Sequence, residues 1–188
     1  MIRPMHQARS LAVLTAFAAC SVLLAQDDDA EYVEEVVRVE ESVYFLPVAG
    51  RVSDGDKKLA ECEVLVYQGN DLISTNTTDR AGRFGLELDL GPEYMLEFQR
   101  EGFMPKRIMV DTRTDIPLEK LVYGPLALDV SLLAAEKYTG VDTDVLDFPF
   151  AIVRYDKRQH TYAADADYTM GMQRTNGALL LMAGRVGE

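Results

Sequence analysis

The sequence predicts an all-β protein, built as an antiparallel sandwich or barrel. Apolar and polar residues alternate over short segments, which is the pattern of a strand with one buried and one wet face. Turn residues separate these segments at intervals of roughly 8–12 residues, as in small all-β domains. Between Tyr44 and Asp111 no segment favours a helix of useful length.

Six strands are predicted in the first part of this region. The pattern is clearest in the fourth, where Phe84, Leu86 and Leu88 alternate with Arg83 and Glu87. Turn-forming runs lie between the strands, among them Ser53-Asp54-Gly55-Asp56, Gln68-Gly69-Asn70-Asp71 and Asp79-Arg80-Ala81-Gly82. In chain order, the strands are marked by Leu46 to Val52, Glu63 to Tyr67, Leu72 to Thr77, Phe84 to Leu90, Tyr94 to Phe98, and Ile108 with Val110.

The later part of the chain is less regular. Alternation from Leu126 to Leu132 predicts the closing strand of the sandwich. Phe148 to Tyr155 predicts an additional strand, which Pro149 places near a sheet edge. Residues 163–174 predict a short helix, which two glycines weaken. We expect the apolar residues 178–182 to pack back onto the domain.

Ordered motifs between residues 48 and 111 resemble the carboxypeptidase regulatory-like domain family. They are Gly50-Arg51-Val52, Leu59-Ala60-Glu61-Cys62-Glu63-Val64-Leu65-Val66-Tyr67, Thr77-Thr78-Asp79-Arg80-Ala81-Gly82-Arg83-Phe84, Leu88-Asp89-Leu90-Gly91-Pro92-Glu93-Tyr94 and Arg100-Glu101-Gly102-Phe103. Glu61 and Cys62 depart from the family's Gly-Ala step. The resemblance covers about a third of the chain and implies a seven-stranded antiparallel transthyretin-like β-sandwich, followed here by an extension of one strand and a short helix. Family members are usually non-catalytic modules of exported bacterial proteins.

The first 25 residues have the layout of a secretory signal peptide. Arg3 and Arg9 precede an apolar run, and Ala25 comes before an acidic stretch. Cleavage after Ala25 is the main prediction, since the apolar run continues beyond Cys20. Lipidation of Cys20 is the alternative, because Phe17-Ala18-Ala19-Cys20 is a loose version of a lipoprotein box. Either route predicts a periplasmic or extracellular protein.

Four regions follow from these patterns. They are a signal peptide (1–25), an acidic tail (26–43), the carboxypeptidase regulatory-like sandwich (44–133) and a C-terminal extension (134–188). Residues 145–156 of the extension are similar to the C-terminal part of short envelope proteins that carry one such domain alone.

The charge argues against several partners. The chain has 19 Lys and Arg residues against 31 Asp and Glu, a net charge of −12. Nucleic acids and anionic lipid surfaces attract basic patches, so this balance predicts neither as a partner. No second apolar segment reaches the about 20 residues that span a bilayer, so we do not expect an integral membrane protein.

The sequence assigns no catalytic, cofactor-binding or metal-binding residue. His160, which lies in a polar loop, is the one His left after removal of the signal peptide. Cys62 alternates with Val64 and Val66 and is expected to be buried. One His and one Cys about 100 positions apart do not form a zinc site. Acidic clusters that do not match an EF-hand loop occur at Asp27 to Asp29, at Asp54 with Asp56, and at Asp142, Asp144 and Asp147.

We therefore expect a non-catalytic structural or protein-binding module of the bacterial cell envelope, whose partner is an envelope protein. Sandwich edges and the acidic surface are the expected contact regions. The alternative is a carbohydrate-binding module with a polysaccharide partner. Because the chain has no Trp, tyrosines would have to form the stacking platform, unless they pack the extension against the sandwich. The candidates are Tyr123, Tyr138, Tyr155, Tyr162 and Tyr168.

Overall fold

Residues 44–55 and 57–186 are described by the computed structural model. The predictions for the signal peptide, Cys20 and the acidic tail lie outside these residues. The strands are β1 (Phe45–Asp54), β2 (Lys57–Lys58), β3 (Glu63–Gln68), β4 (Asp71–Thr77), β5 (Arg83–Asp89), β6 (Glu93–Gln99), β7 (Lys106–Asp111), β8 (Leu126–Ser131), β9 (Ala151–Asp156) and β10 (Thr161–Ala164). Short 3-10 helices span Leu118–Lys120, Ala135–Tyr138 and Asp144–Asp147, and the α-helix α1 spans Ala166–Val186.

The strands form two sheets. In the smaller sheet β1 is central, with β5 antiparallel on one side, β8 parallel on the other, and β2 paired to its end. The larger sheet has the order β10-β9-β7-β6-β3-β4, and its pairs are antiparallel except for β7 with β9. The all-β sandwich is thus confirmed, but two details of the prediction are wrong. Residues 45–131 form eight strands where seven were predicted, and the pairs β1/β8 and β7/β9 are parallel where an antiparallel sandwich was predicted, because alternation alone does not reveal strand direction.

The core lies between the inward faces of the two sheets. Leu46, Val48 and Val52 of β1 face Leu96 and Phe98 of β6 within one buried cluster. The rings of Phe84 and Phe98 meet edge to face with centroids 5.2 Å apart, an arrangement that aromatic pairs prefer. These are the residues at every second position that the sequence predicts to be buried.

The C-terminal extension differs in detail from the prediction of one strand and a short helix. A second strand, β10, pairs with β9 and includes residues 163 and 164, where the helix was predicted to begin. The helix then runs 21 residues, to Val186. It begins after Asp165, whose carboxylate accepts the N–H of Tyr168 at 3.0 Å as an N-cap. The glycines lower helix propensity by about 1 kcal/mol each, which does not end a helix rich in Leu, Met and Ala.

Two buried threonines fix the loops between strands. Thr112, fully buried at the end of β7, donates from its hydroxyl to the carbonyl of Pro92 at 2.6 Å and accepts the N–H of Gly91 at 2.8 Å. Thr78 donates to the carbonyl of Leu59 at 2.7 Å and accepts the N–H of Cys62 at 2.9 Å. Thr78 therefore satisfies backbone groups that would otherwise be buried without a partner, and Thr112 holds a turn through partly buried hydrogen bonds.

Gly50 marks a close approach within the smaller sheet. A Cβ at this position would lie 1.9 Å from the carbonyl oxygen of Leu128 on β8, and 2.9 Å from the ring of Phe84. Neither group is a flexible side-chain end, so β1 and β8 must separate if a side chain is added.

We expect Gly50→Ala to lower the free energy of unfolding by at least about 2 kcal/mol, because the added methyl group overpacks the strand contact. Gly85→Ala, on the neighbouring strand β5, is the matched control, since its Cβ would meet nothing nearer than 4.0 Å. That control should be neutral or stabilise by about 0.4–1 kcal/mol, through the unfolded chain. Urea denaturation followed by circular dichroism measures the stability of both variants. Equal losses of stability would contradict the close approach of β8 to Gly50.

Thr112→Val should cost about 0.5–1.5 kcal/mol of stability, because the buried Thr112 side chain loses its hydrogen bonds to the Gly91 N–H and the Pro92 carbonyl. Thr77→Val, on the exposed strand β4, should change stability by less than about 0.5 kcal/mol. Thermal and urea unfolding of the two variants separates the stability contributed by the hydrogen bonds of Thr112 from the effect of the β-propensity of valine. A loss no larger at residue 112 than at residue 77 would show that these hydrogen bonds contribute nothing.

Candidate functional site

The residues considered first for nucleophilic chemistry lie apart. His160 is exposed in the turn between β9 and β10, with a φ of 51°. Cys62 is buried in the core, where burial raises the pKa of its thiol to about 11. Because the nucleophilic form of cysteine is the thiolate, this shift disfavours reaction at Cys62 near neutral pH. Its burial agrees with the prediction from its alternation with Val64 and Val66.

The acidic cluster at Asp142, Asp144 and Asp147 serves local structure. Asp142 accepts the N–H of Asp144 at 3.0 Å, and Asp147 forms an ion pair with Arg107 at 3.1 Å. Within residues 44–55 and 57–186, no group of three or more His, Cys, Asp or Glu residues is placed to hold a metal ion. Asp56 lies outside the described residues, so the cluster that it forms with Asp54 is left as a sequence prediction.

All five tyrosines weighed for a stacking platform donate a hydrogen bond within the chain. The acceptors are the carbonyls of Phe45 for Tyr123, Val122 for Tyr155, Thr112 for Tyr162 and Pro149 for Tyr168, and the side-chain oxygen of Asn176 for Tyr138. Packing of the extension against the sandwich is therefore the use that the structure gives them.

Tyr162 lies at the centre of this packing. Its ring meets those of Tyr123 and Tyr155 edge to face, with centroids 6.0 Å and 5.3 Å apart. Burial raises the pKa of Tyr162 to about 12, so its hydroxyl remains a donor at neutral pH. The aromatic cluster extends the core under β9 and β10.

Strand β4 is an edge of the larger sheet. Its residues are exposed apart from the half-buried Asn76, and Asp71 is its one charged residue. Within the described part of the chain it pairs with β3 alone. Leu72 is 52% exposed and Ile73 is 50% exposed. Edge strands usually carry lysines, prolines or β-bulges that discourage pairing. Strand β4 has neither Lys nor Pro, and its register with β3 shifts once, between Leu72 and Ser74.

The outer face of the larger sheet carries apolar side chains in register across five strands. Leu72 pairs with Tyr67, Tyr67 with Met95, Met95 with Met109, and Met109 with Ile152. We call these five residues the apolar row. Their inward-facing neighbours fill the core, so the row itself faces away from it. With strands about 4.8 Å apart, the row is about 19 Å long.

Ion pairs border the apolar row on both sides. On one side Arg107 pairs with Glu97 at 2.6 Å, and hydrogen bonding to that carboxylate raises the pKa of Arg107. On the other side Arg113 lies 2.7 Å from both Asp111 and Glu93, and its hydrogen bonds lower the pKa of Asp111. The result is an apolar strip with a polar rim.

A cleft opens at the end of the sandwich, between β7, the 3-10 helices and α1. Its volume is about 20 Å³, room for about one water molecule. Apolar and aromatic residues form most of its walls: Leu133, Tyr138, Leu146, Phe148, Phe150 and Met172. We call this the Lys106 cleft, after the lysine within it.

Lys106 lies against these apolar walls. Its ammonium donates to the carbonyl of Ser131 and lies 4.2 Å from the centre of the Phe150 ring. Burial lowers the pKa of Lys106 to about 8, because the charged form loses hydration. The burial of Lys106 was not predicted from the sequence, because nothing in the sequence distinguishes it from an ordinary lysine at the start of a strand.

A sequence signal existed for the apolar row. Met95 and Met109 occupy wet-face positions of alternating strands, where a polar residue is the norm. Two such departures on neighbouring strands favour an apolar contact surface. The sequence does not show that the two methionines lie side by side, because that depends on the register of the strands.

Comparison with known proteins assigns no family. No protein-family model matches the chain, and no curated protein matches it significantly. Within the described residues, no helix is both long and apolar enough to cross a membrane.

Three solved structures resemble part of the chain. The TIE protein of Bacillus anthracis is 14% identical over 48% of this chain and 17% of its own, with a TM-score of 0.38. A DUF3823 family protein from Parabacteroides merdae is 15% identical over 49% of this chain and 47% of its own, with a TM-score of 0.35. The 3-chlorocatechol 1,2-dioxygenase of Rhodococcus opacus is 14% identical over 52% and 62%, with a TM-score of 0.37. This chain spans less than two thirds of each, and such likenesses assign no function.

Proposed function

We propose that this chain is a non-catalytic, protein-binding structural module of a bacterial cell envelope, and that it binds its partner at the β4 edge of the larger sheet. The observation that carries the proposal is the apolar row, because it crosses five strands and ends at a strand open to further pairing. The envelope location rests on the signal-peptide pattern of residues 1–25.

The composition of this surface favours a protein partner. Protein interfaces combine an apolar centre with a polar rim, and Tyr and Met are enriched at their centres. Tyr67, Met95 and Met109 form the middle of the apolar row, and the Glu97–Arg107 pair borders it. A partner would bury the apolar strip while the ion pairs stay at its margin.

The β4 edge suggests how the partner is held. An extended segment can add to a free edge through main-chain hydrogen bonds, with alternate side chains supplying specificity. A strand paired with β4 would place a side chain beside Leu72, and so continue the apolar row onto the partner. The edge gives affinity and the row gives selectivity.

The domain assignment is part of the same proposal. The ordered motifs support a carboxypeptidase regulatory-like domain at residues 44–133, followed by the extension at 134–188. Family members of this kind act by contact, in agreement with a binding surface in place of a catalytic cleft.

The double variant Leu72→Lys/Thr75→Lys should abolish partner capture, because it places two positive charges on the outer face of the edge strand. Pull-down and crosslinking from an envelope extract of the source bacterium, using the full chain, measures this. Glu87→Lys is the matched control, since it makes the same change of two charge units at an exposed position of β5.

We expect the control to retain its partner and both proteins to melt within a few degrees of the parent, since exposed substitutions cost less than about 0.5 kcal/mol. A partner that binds the double variant as well as the parent would contradict the role of β4. Failure of the parent to capture any protein would contradict the binding function itself.

A further inference from the structure

The outward face of helix α1 exposes large apolar side chains. Leu181 is 70% exposed, Met182 is 54% exposed and Met170 is 44% exposed. The prediction that residues 178–182 pack back onto the domain is therefore wrong for Leu181 and Met182. Polar residues are the norm on the solvent face of a helix, and a helix that is apolar all round is usually buried. The composition of this face is that of a contact surface.

Two arginines lie at the ends of this apolar face. Arg174, Ala178, Leu181 and Arg185 follow one another at intervals of four, three and four residues, which places them along one line of the helix. At 1.5 Å per residue, the line from Arg174 to Arg185 is about 16.5 Å long. No Asp, Glu or Lys lies between the two arginines. We call these four residues and Met182, all of them exposed, the α1 face.

The charges of the α1 face are not neutralised by carboxylates of the described residues. Within residues 44–55 and 57–186, the ion pairs involve neither Arg174 nor Arg185. The Arg174 guanidinium instead lies 3.1 Å from the sulfur of Met170, one turn earlier in the helix. The whole chain has a net charge of −12, so a positive surface is an exception in this molecule. Positive charges around an apolar centre fit a partner that is apolar and acidic.

The same charges disfavour a second copy of the chain as the occupant. Two α1 faces packed antiparallel would bring Arg174 of one copy beside Arg185 of the other, and parallel packing would bring identical arginines together. Like charges so placed are destabilising. A helical partner is favoured, because apolar residues at this spacing form the seam along which two helices pack.

We propose that the α1 face binds an acidic amphipathic helix of another protein. Two carboxylates of that helix, about 16.5 Å apart, pair with Arg174 and Arg185, while its apolar stripe covers Leu181 and Met182. Arginine suits this role, since its planar guanidinium can hold a carboxylate through two hydrogen bonds. The α1 face is separate from the β4 edge, so the inference stands independently of the proposed function.

The probe is a synthetic helical peptide of about 20 residues, long enough to form a helix in water. It carries one stripe of leucines and, beside it, two glutamates with the same spacing as Arg174 and Arg185. Its uncharged match has glutamine at both positions. Isothermal titration calorimetry with the full chain at low salt should give the glutamate peptide at least about tenfold tighter, a difference of about 1.4 kcal/mol. At about 1 M salt, where charges are screened beyond about 3 Å, the difference should vanish.

Arg174→Gln/Arg185→Gln should abolish the preference for the glutamate peptide, because glutamine preserves helix propensity and removes the charge. Arg80→Gln/Arg158→Gln is the matched control, since it removes two charges from exposed turn positions. The control should keep the full preference.

Leu181→Gln should weaken both peptides by about tenfold or more, because the partner no longer buries a leucine at the centre of the α1 face. Val122→Gln is the matched control, because Val122 is 65% exposed on another part of the surface. It should bind both peptides as the parent does. Circular dichroism and thermal melting of each variant show whether a lost affinity occurs in a folded protein.

The proposal would be overturned if the parent bound neither peptide, bound both equally at low salt, or kept its preference in Arg174→Gln/Arg185→Gln. Two other occupants would overturn it as well. A dimer of the full chain in sedimentation, dissociated by Leu181→Gln, would assign the α1 face to a second copy. Cosedimentation with phosphatidylglycerol vesicles, abolished by Leu181→Gln, would assign it to a membrane surface.

Discussion

The parallel pairing of β9 with β7 is the contact on which the C-terminal third of the described chain depends. It consists of three residue pairs, from Ile108 with Ala151 to Val110 with Val153. A parallel pair cannot be closed by a tight turn, so the chain must leave the sheet and return. It does so through β8, which joins the other sheet beside β1. Strand β10, helix α1 and the outer wall of the Lys106 cleft all follow from the return of β9.

So short a pairing is stabilised by what surrounds it. Ala151 and Val153 are buried in the core, so the hydrophobic effect adds to the few ladder hydrogen bonds. Tyr162 of β10 then donates to the carbonyl of Thr112, directly after β7, at 2.9 Å. The Thr112 side chain in turn holds the turn between β5 and β6. One line of contacts thus joins the last strand of the sheet to the middle of the chain.

The sequence predicts what depends on local pattern. Strands such as β6 are evident because Tyr94, Leu96 and Phe98 recur at every second position. Pairing partners are not local, so the sequence did not reveal that β8 and β9 pair in parallel. Strand β9, predicted to lie near a sheet edge, lies between β7 and β10. The length of the helix was missed for a related reason. The glycine penalties are visible in the sequence, whereas the hydrogen bond from Tyr138 to Asn176 of the helix is not. The apolar row and the Lys106 cleft could not be predicted from the sequence for the same reason. The row depends on the register of five strands, and the cleft depends on the return of the chain to the larger sheet at β9.

Strand β7 borders both the apolar row and the Lys106 cleft because successive side chains point to opposite faces. Arg107 faces outward and borders the apolar row, whereas Lys106 faces inward and lies in the cleft. Asp147, from the 3-10 helix beside the cleft, reaches over to Arg107 and so joins the margins of both. The alternation that divides core from solvent in every strand here places Arg107 at the rim of the proposed binding surface and Lys106 in the cleft, although the two residues are neighbours in the chain.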